Sequence, residues 1–522
     1  MSEKGRTSFG LGAWNVYFLA KLALYFRHEI GLHPVENLAF ATFLLMPVSS
    51  RFWQRARNMV SVPVAVALLY YDSWLPPFSR ALSEAHLIYK FTIPYLVELI
   101  GRFVSLSTVA LLILAFAAYR VIASRVKVGV LVMGVLAFLT FSQNKAALSP
   151  PGPAMQSVAG AQDIKARLDE AVRSFFAREA TRSVSFPQAS GMPFDIIFIH
   201  VCSLAWDDVR AVGLDNHPIW KQFDILFTNF NSASTYSGPA AIRVLRSTCG
   251  QQTHSELYSP VPGRCYVMDS LKDAGFAPNL VLNHDGHFDG FLKTVQAQGV
   301  MNMTPMPREG IKVDQHAFDD SPVYDDLGVL SRWLDERKKN DVTRVVVYYN
   351  TISLHDGNHM LGQYAGKTSM ETYKVRLNTL LDELNAFMEK VAESKRRVVL
   401  VMVPEHGAAY RGDRMQIPGL REIPTPAITI IPVGIKVVGA DIRRNGETLK
   451  IDTPSSFLAM TSVISKMLAK SPYDSGGFSP ADYANDLPET DFVAENENML
   501  MLRMDNRYYL RQQPDDWSEY TP

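Results

Sequence analysis

Five apolar stretches in the first 145 residues restrict the possible folds of this 522-residue chain more than any other feature. They cover about residues 13–29, 35–50, 58–75, 98–121 and 127–143. Each approaches the length of a membrane-spanning helix, although the second and fifth are short and Pro47 and Pro63 interrupt two of them. The sequence therefore predicts a bundle of about five transmembrane helices over residues 1–145. The alternative is a set of buried helices in a soluble protein.

The basic residues between these stretches predict the orientation of the bundle. The positive-inside rule places loops rich in lysine and arginine on the cytoplasmic side. Lys4 and Arg6 precede the first stretch. The loop between the second and third stretches contains Arg51, Arg55 and Arg57, and the loop between the fourth and fifth contains Arg120, Arg125 and Lys127. The N-terminus is then cytoplasmic, and everything after Ser142 lies outside. A removable signal peptide is not expected, because the first stretch has no small-residue cleavage site.

The remainder of the chain divides into a connection and an α/β domain. Residues 146–189 are predicted to contain a linker, centred on a proline-rich run at 149–153, and an amphipathic helix at about 161–180. From residue 190 to 522, short apolar strands alternate with helices, which predicts a mostly parallel sheet with helices on both faces. The predicted strands are Phe194–Val201, Phe223–Phe230, Leu280–Leu282, Thr343–Tyr349, Val398–Val403 and Ile428–Val433.

The helices of this domain are predicted from the same alternation. They cover about residues 239–248, 266–274, 288–299, 322–339, 370–395 and 454–469. Two further apolar runs, Met499–Leu502 and Arg507–Leu510, flank Asp505-Asn506 and predict a terminal hairpin.

Charge and cysteine content limit the possible partners. The chain has 52 basic and 52 acidic residues, so its net charge does not favour nucleic acid. Three cysteines are too few for a disulfide scaffold and suit one bridge plus one free thiol. In an oxidising compartment, Cys249 and Cys265 can pair across a short loop. Cys202 would then remain available as a thiolate.

Glu405 and His406 follow the apolar run Val398–Val403, where open α/β sheets place their ligands. A carboxylate and a neutral imidazole are natural metal ligands, and a thiolate from Cys202, at the end of the first strand, would complete a set that suits zinc. The alternatives are structural: strand-end carboxylates and histidines often cap loops, and cysteine is often a small buried side chain.

Three further positions have the chemistry of a phosphoryl-transfer site. Ser237 precedes Gly238-Pro239 at a predicted helix start, where backbone N–H groups favour an anion and a serine can act as a nucleophile. His355 lies in a polar loop after a strand and could act as an acid or base. Arginines between 411 and 421 suit phosphate oxygens. An ordinary N-cap serine and solvated loop charges are the alternatives.

Several segments together resemble the membrane-bound phosphoethanolamine transferases of the alkaline-phosphatase superfamily. They are most similar to the cellulose phosphoethanolamine transferases of bacterial cellulose secretion, the BcsG type. The segments are Cys202-Ser203-Leu204, Asn231 through Arg243, Leu354 through His359, Pro404-Glu405-His406-Gly407 and Gly412 through Gln416. The lipid-A-modifying relatives carry glutamate, threonine and Asp-His at the positions of Cys202, Ser237 and Glu405-His406.

The resemblance implies a function and a set of site residues. Phosphatidylethanolamine would be the donor and the 6-hydroxyl of glucose units in secreted cellulose the acceptor, with a phosphoethanolamine-serine intermediate. It implies a bacterial inner-membrane protein with a periplasmic catalytic domain, and contact with the cellulose synthase complex through its membrane part. The implied residues are the one-zinc ligands Cys202, Ser237, Glu405 and His406, the nucleophile Ser237, the acid/base His355, and the substrate-binding Tyr236 and Arg421.

Three alternatives stay open. A phosphodiesterase or sulfatase of the same superfamily would use water as the acceptor, although the sulfatase signature requires arginine at the position of Ala241. An assembly protein would only stabilise the synthase complex. A two-metal site would require more carboxylates near the first strand, and only Asp207 and Asp208 are available.

Overall fold

The computed structural model describes most of the chain, with gaps chiefly in its N-terminal third. The described residues are 11–26, 30–48, 50–73, 89–103, 110, 113–114, 116–117, 119–121, 123, 127–148, 155–299, 302–439, 442–512 and 516–521. Lys4, Arg6 and Arg125 of the orientation argument and the proline-rich run 149–153 lie outside these residues.

The chain forms two compact units. The first comprises Met1–Leu82, Leu99–Ala166 and Asp413–Ile417, and the second comprises Ser83–Glu98, Arg167–Gly412 and Pro418–Pro522. The helices of the N-terminal third are α1 (Trp14–Phe26), α2 (Pro34–Leu45), α3 (Arg51–Tyr71), α4 (Ile93–Phe103), α5 (Val128–Leu148) and α6 (Met155–Glu179). Among the described residues, none of the helices has both the length and the apolarity needed to span a membrane.

The first unit has an apolar core with a buried polar group inside it. Phe18, Phe40 and Leu136 belong to the core. Lys21 forms a buried ion pair with Asp72, and its Nζ also donates to Oδ1 of Asn37 at 2.8 Å. A buried charge is tolerated only when it is paired and hydrogen-bonded, which this arrangement provides. The sequence analysis did not predict this group.

The predicted linker is shorter than expected. The linker was predicted over residues 143–160. Helix α5 continues to Leu148 and α6 begins at Met155, so both ends of that range are helical. Alanine, glutamine, lysine and leucine are frequent here, and these residues favour a helix. The amphipathic helix predicted at 161–180 is therefore the larger, C-terminal part of a longer helix, Met155–Glu179.

A mixed seven-stranded sheet organises the second unit. Its strands are β1 (Asp195–Val201), β2 (Ile225–Asn231), β3 (Ala277–Leu282), β6 (Val345–Thr351), β8 (Val398–Met402), β9 (Ile430–Val438) and β11 (Leu449–Ile451), in the order β11-β2-β9-β8-β1-β6-β3. Six strands run in one direction, and β9 is antiparallel to both of its neighbours. The predicted mostly parallel α/β sheet is thus present with one reversed strand.

The reversal of β9 follows from its connection. A parallel neighbour requires a crossover, usually by a long helix, whereas an antiparallel neighbour can return directly. Between β8 and β9 the chain forms loops and one short helix, Pro426–Thr429, so the next strand pairs in the opposite direction.

Helices cover both faces of the sheet, as predicted. Trp206–Ala211, Asp326–Lys338 and Ser369–Glu393 contribute to the core on one face, and Ser237–Leu245, Val267–Asp273, Phe291–Gln298 and Phe457–Ala469 to the core on the other. Ile219–Gln222 and Ala481–Ala484 are further short helices. Turns of 3-10 helix lie at His254–Glu256, Gly263–Cys265, Phe288–Gly290 and Gly362–Tyr364.

Short strands were underpredicted. Residues 322–324, predicted as the start of a helix, form β5 (Pro322–Tyr324), which pairs with β4 (Val313–His316); β7 (His359–Met360) completes that sheet. The strands β10 (Arg443–Arg444) and β12 (Gly477–Phe478) pair with each other. The predicted terminal hairpin is confirmed as β14 (Met499–Met504) and β15 (Arg507–Gln512), flanked by β13 (Val493–Glu495) and β16 (Asp516–Tyr520).

Candidate metal and nucleophile site

The parallel strands bring the predicted site residues to one edge of the sheet. Cys202 directly follows β1, and Glu405-His406 follow β8, the neighbour of β1. The register is fixed at this edge by backbone bonds from Cys202 N to Thr351 O at 3.0 Å and from Glu405 N to Val201 O at 2.9 Å. The strand-end argument therefore places the right segments side by side.

Cys202, Glu405 and His406 form a compact buried cluster. One ligand atom from each residue lies within 4.8 Å of the other two, and all three side chains are buried. Cys202 is a free thiol, whereas Cys249 and Cys265 are joined by a disulfide. Burial raises the pKa of Cys202 to about 12, and the charge of Glu405 adds to that rise. Burial also raises the pKa of Glu405.

The tautomer of His406 presents a lone pair to this cluster. Its Nδ1 lies 2.9 Å from the carbonyl oxygen of Gly407, which can only accept, and 3.3 Å from Nη1 of Arg421, which can only donate. We assign the proton to Nδ1 because the carbonyl oxygen is the closer partner. Its Nε2 is buried and has no hydrogen-bond partner among the described residues. A thiol, a carboxyl group and an imidazole nitrogen without a partner fit zinc, whose positive charge would hold the first two in their anionic forms.

Gly407 allows the close packing behind His406. A Cβ atom at this position would lie 2.7 Å from Cβ of Ala205 and 2.7 Å from Oδ2 of Asp208. Any larger residue would push the loop away from the strand ends. Position 407 therefore requires glycine, because there is no room for a side chain between Ala205 and Asp208.

Ser237 lies beside the cluster at a helix start. Its Oγ is 3.4 Å from Sγ of Cys202. Tyr236 is the N-cap, with φ −133°, and Ser237 is the first residue of the nine-residue helix Ser237–Leu245. The unpaired N–H groups of a first turn and the helix dipole favour an anion at this position. The hydroxyl is therefore close to both the possible metal ligands and an anion-binding helix end.

Arg421 and Tyr236 are brought together next to these residues. Nη1 of Arg421 donates to Oγ of Ser203 at 3.2 Å and lies 3.3 Å from Nδ1 of His406. The guanidinium carbon is 5.6 Å from the centroid of the Tyr236 ring, within cation–π range. The Tyr236 hydroxyl donates to Glu422. A positive group at this position suits phosphate oxygens.

His355 lies four residues after β6 and is uncharged. Its Nδ1 donates to the carbonyl oxygen of Asp356 at 2.6 Å, so Nε2 has the lone pair. Burial and, second, the positive charge of Arg421 lower the pKa of His355 to about 4. The imidazole is therefore neutral at pH 7. The Phe318 ring lies 5.2 Å from it, centroid to centroid.

Asp207 and Asp208 do not complete a second metal site. Asp208 accepts hydrogen bonds from the backbone N–H groups of Ala205, Ala408 and Tyr410 at 3.0, 2.8 and 3.0 Å. Asp207 forms a surface ion pair with Arg411. Asp208 therefore fixes the loop after His406. Arg411 is occupied by this exposed ion pair, whereas Arg421 contacts Ser203 and His406.

Replacing Asp208 with alanine is expected to lower the free energy of unfolding by about 3 kcal/mol or more. Three backbone donors, two of them buried and one half-buried, would lose their acceptor, and each loss of a buried bond costs roughly 1–3 kcal/mol. Thermal unfolding of the full-length protein in detergent would measure the effect. Asp207→Ala is the control, since a surface ion pair contributes less than about 1 kcal/mol. Equal shifts for the two variants would contradict this role.

Asn350 is a site residue that the sequence analysis missed. It is the sixth residue of the fully buried strand β6, and its Nδ2 donates to Oε1 of Glu405 at 2.6 Å. The signal that could have identified it is an amide within an otherwise apolar strand, Val345–Thr351. Its partner is 55 residues away, so the pairing itself is visible only in the folded chain.

The fold and site define an α/β protein with a buried Cys-Glu-His cluster and a serine at a helix start. The family model described as the cellulose biosynthesis protein BcsG C-terminal domain matches residues 154–517, and the BcsG N-terminal domain model matches residues 14–141. The chain belongs to the BcsG family.

The cellulose biosynthesis protein BcsG of Escherichia coli strain K12 is 37% identical over 98% of this chain and 96% of its own length. That of Salmonella typhimurium is 36% identical with the same coverage.

Solved structures show a more distant likeness. An alkaline phosphatase superfamily protein from Vibrio parahaemolyticus matches 67% of this chain and 87% of its own, with 13% identity and a TM-score of 0.49. The integral membrane protein lipooligosaccharide phosphoethanolamine transferase A from Neisseria meningitidis matches 83% of this chain and 89% of its own, with 13% identity and a TM-score of 0.39. The family assignment rests on the sequence matches.

Proposed function

We propose that this protein transfers phosphoethanolamine from phosphatidylethanolamine to the 6-hydroxyl of glucose units in secreted cellulose. The observation that carries the proposal is the position of Ser237 Oγ, 3.4 Å from Cys202 Sγ and at the start of a helix. Membership of a family of cellulose biosynthesis proteins supports the acceptor. The resemblance to phosphoethanolamine transferases supports the donor and the transferred group.

A single zinc ion is the proposed cofactor. Cys202, Ser237, Glu405 and His406 would hold it, and its charge would lower the pKa of a bound hydroxyl and polarise a phosphoryl oxygen. Arg421 and Tyr236 would bind the phosphoethanolamine group. The position of Arg421 beside the helix that begins at Ser237 supports this assignment. A negatively charged phosphoryl group bound there would face both a guanidinium and backbone N–H groups.

The reaction proceeds in two balanced displacements. Oγ of Ser237 loses its proton and bonds to phosphorus, and the phosphorus–oxygen bond to diacylglycerol breaks, so that diacylglycerol leaves with a proton. In the second step, His355 accepts the proton of the glucose hydroxyl, whose oxygen bonds to phosphorus. The bond between phosphorus and Ser237 then breaks, and the serine oxygen regains a proton.

The proposed location is the bacterial inner membrane, with five spans, a cytoplasmic N-terminus and a periplasmic domain after about residue 190. Large apolar side chains on α3 and α5 support contact with lipid, because Phe52, Met59, Val66, Val130 and Phe138 are each 63–77% exposed. The membrane part would also contact the cellulose synthase complex.

A reporter enzyme that is active only in the periplasm, fused after residue 190, should be active. An inactive fusion would contradict the proposed orientation.

Peptide mass spectrometry can test the donor and the nucleophile together. Full-length protein incubated with phosphatidylethanolamine vesicles should carry phosphoethanolamine on the peptide containing Ser237. Adding cello-oligosaccharides should move the group to the sugar, faster than it is lost to water alone. Release to water at the same rate, with no modified sugar, would favour the hydrolase alternative. Absence of the adduct from an active protein would exclude the serine intermediate.

A further inference from the structure

A chain of buried hydrogen bonds leads from Glu405 to a histidine outside the cluster. Oδ1 of Asn350 lies 2.8 Å from Nε2 of His284, and Nδ2 of Asn350 lies 2.6 Å from Oε1 of Glu405. His284 lies just after β3, which pairs in parallel with β6 so that Leu282 is opposite Asn350. His284 is buried, although its loop, residues 283–287, is composed almost entirely of polar residues.

The tautomer of His284 is determined by its surroundings. The backbone N–H of Gly286 donates to Nδ1 at 3.1 Å, so Nδ1 is an acceptor and the proton is on Nε2. Burial lowers the pKa of His284 to about 4, so the ring stays neutral at pH 7 with this single N–H. Nε2 therefore donates to Asn350.

That N–H and two acceptors on the opposite side favour the same orientation of the Asn350 amide. With Oδ1 accepting from His284, Nδ2 faces two acceptors, Oε1 of Glu405 and the backbone oxygen of His200 at 3.1 Å. A flipped amide would place Oδ1 against these two oxygens and Nδ2 against the N–H of His284. Each contact would then be repulsive, and buried polar groups without partners are costly.

We propose that His284 is a positioning residue for the metal site. Through Asn350 it holds one oxygen of Glu405, which leaves the other carboxylate oxygen to face the cluster with Cys202 and His406. The neighbouring atoms are close, since Oε2 of Glu405 lies 3.7 Å from Nε2 of His406. This inference rests on the proposed zinc site and is independent of the donor and acceptor.

Two polar substitutions separate this role from simple packing. Glutamine can place an N–H at the position of Nε2, whereas asparagine reaches only the position of Nδ1. His284→Gln should therefore keep zinc affinity close to that of the unaltered protein. His284→Asn should weaken it roughly 10–100-fold, the usual effect of losing a residue that supports a metal ligand. Competition with a chromogenic chelator measures affinity on the full-length protein in detergent, without substrate.

A double-mutant cycle tests whether the effect passes through Asn350. Asn350→Ala alone should weaken zinc binding, and adding His284→Asn should cause no further loss. The control is His287→Asn in the same loop, whose side chain is 85% exposed; it should have no effect. Melting temperatures of all variants separate altered affinity from unfolding.

Three results would overturn the proposal. They are an unaltered protein that binds no zinc, folded His284→Gln and His284→Asn variants with the same affinity, and additive losses in the double mutant. Because the titration contains no lipid or sugar, an incorrect donor or acceptor would leave its outcome unchanged. Failure of the proposed transfer reaction and failure of this inference are therefore separate results.

Discussion

Replacing Ser237 with alanine is expected to reduce phosphoethanolamine transfer by roughly 10⁴–10⁶-fold, the range seen when an enzyme loses its nucleophile. The alanine variant lacks the hydroxyl oxygen that is proposed to bond to phosphorus, although the possible ligands Cys202, Glu405 and His406 remain. The adduct on the peptide should disappear as well. The measurement is the rate at which labelled headgroup moves from lipid vesicles to cello-oligosaccharides.

Two variants are suitable controls for this experiment. Ser237→Thr keeps a hydroxyl at the same position of the helix and should retain measurable transfer. Ser255→Ala removes an exposed hydroxyl and should transfer at the rate of the unaltered protein. Transfer by Ser237→Ala at the rate of Ser255→Ala would show that another group, or water, attacks the phosphorus.

The position of the site was predictable because one topological rule covers it. Parallel strands end at a common edge, so residues that follow apolar runs in the sequence converge in space even when 200 positions separate them. Cys202 and Glu405-His406 follow β1 and β8 in this way, and these strands are adjacent. The helix-start pattern Ser237-Gly238-Pro239 added a third segment without any knowledge of pairing.

The supporting contacts were not predictable because they depend on register and loop closure. Asp208 contacts Ala408 across 200 positions of sequence, and His284 meets Asn350 only because β3 pairs with β6 in a particular register. A polar residue in a loop gives no local signal of such a partner. In the first unit, Lys21 and Asp72 become a buried pair for the same reason.

The predicted and observed folds also differ in the direction of one strand and in the number of short strands. The apolar run that forms β9 is equally compatible with a parallel or an antiparallel neighbour, so its own pattern does not give its direction. The connection after β8 contains one four-residue helix and no long crossover helix. Strands of two to four residues, such as Val313–His316, contain too few side chains for alternation to be recognised.

Replacing Cys202 with serine is expected to weaken zinc binding by more than about 100-fold, beyond the roughly 10–100-fold typical of residues that only support a ligand. Zinc prefers a thiolate to a hydroxyl, and a serine hydroxyl loses its proton far less readily than a thiol. The side chains have nearly the same size, so the buried site should stay folded. Chelator competition on the full-length protein would give the affinity.

A second group of acids makes one control essential for the Cys202 experiment. Asp314, Asp325 and Glu383 also have oxygens within 4.8 Å of one another. Asp325→Asn should leave zinc affinity unchanged, and asparagine can still cap the helix that begins at Asp326. Cobalt in place of zinc should give a thiolate-to-metal charge-transfer band that Cys202→Ser lacks. If the band persisted in that variant, or affinity fell only in Asp325→Asn, the metal would be bound elsewhere than beside Ser237.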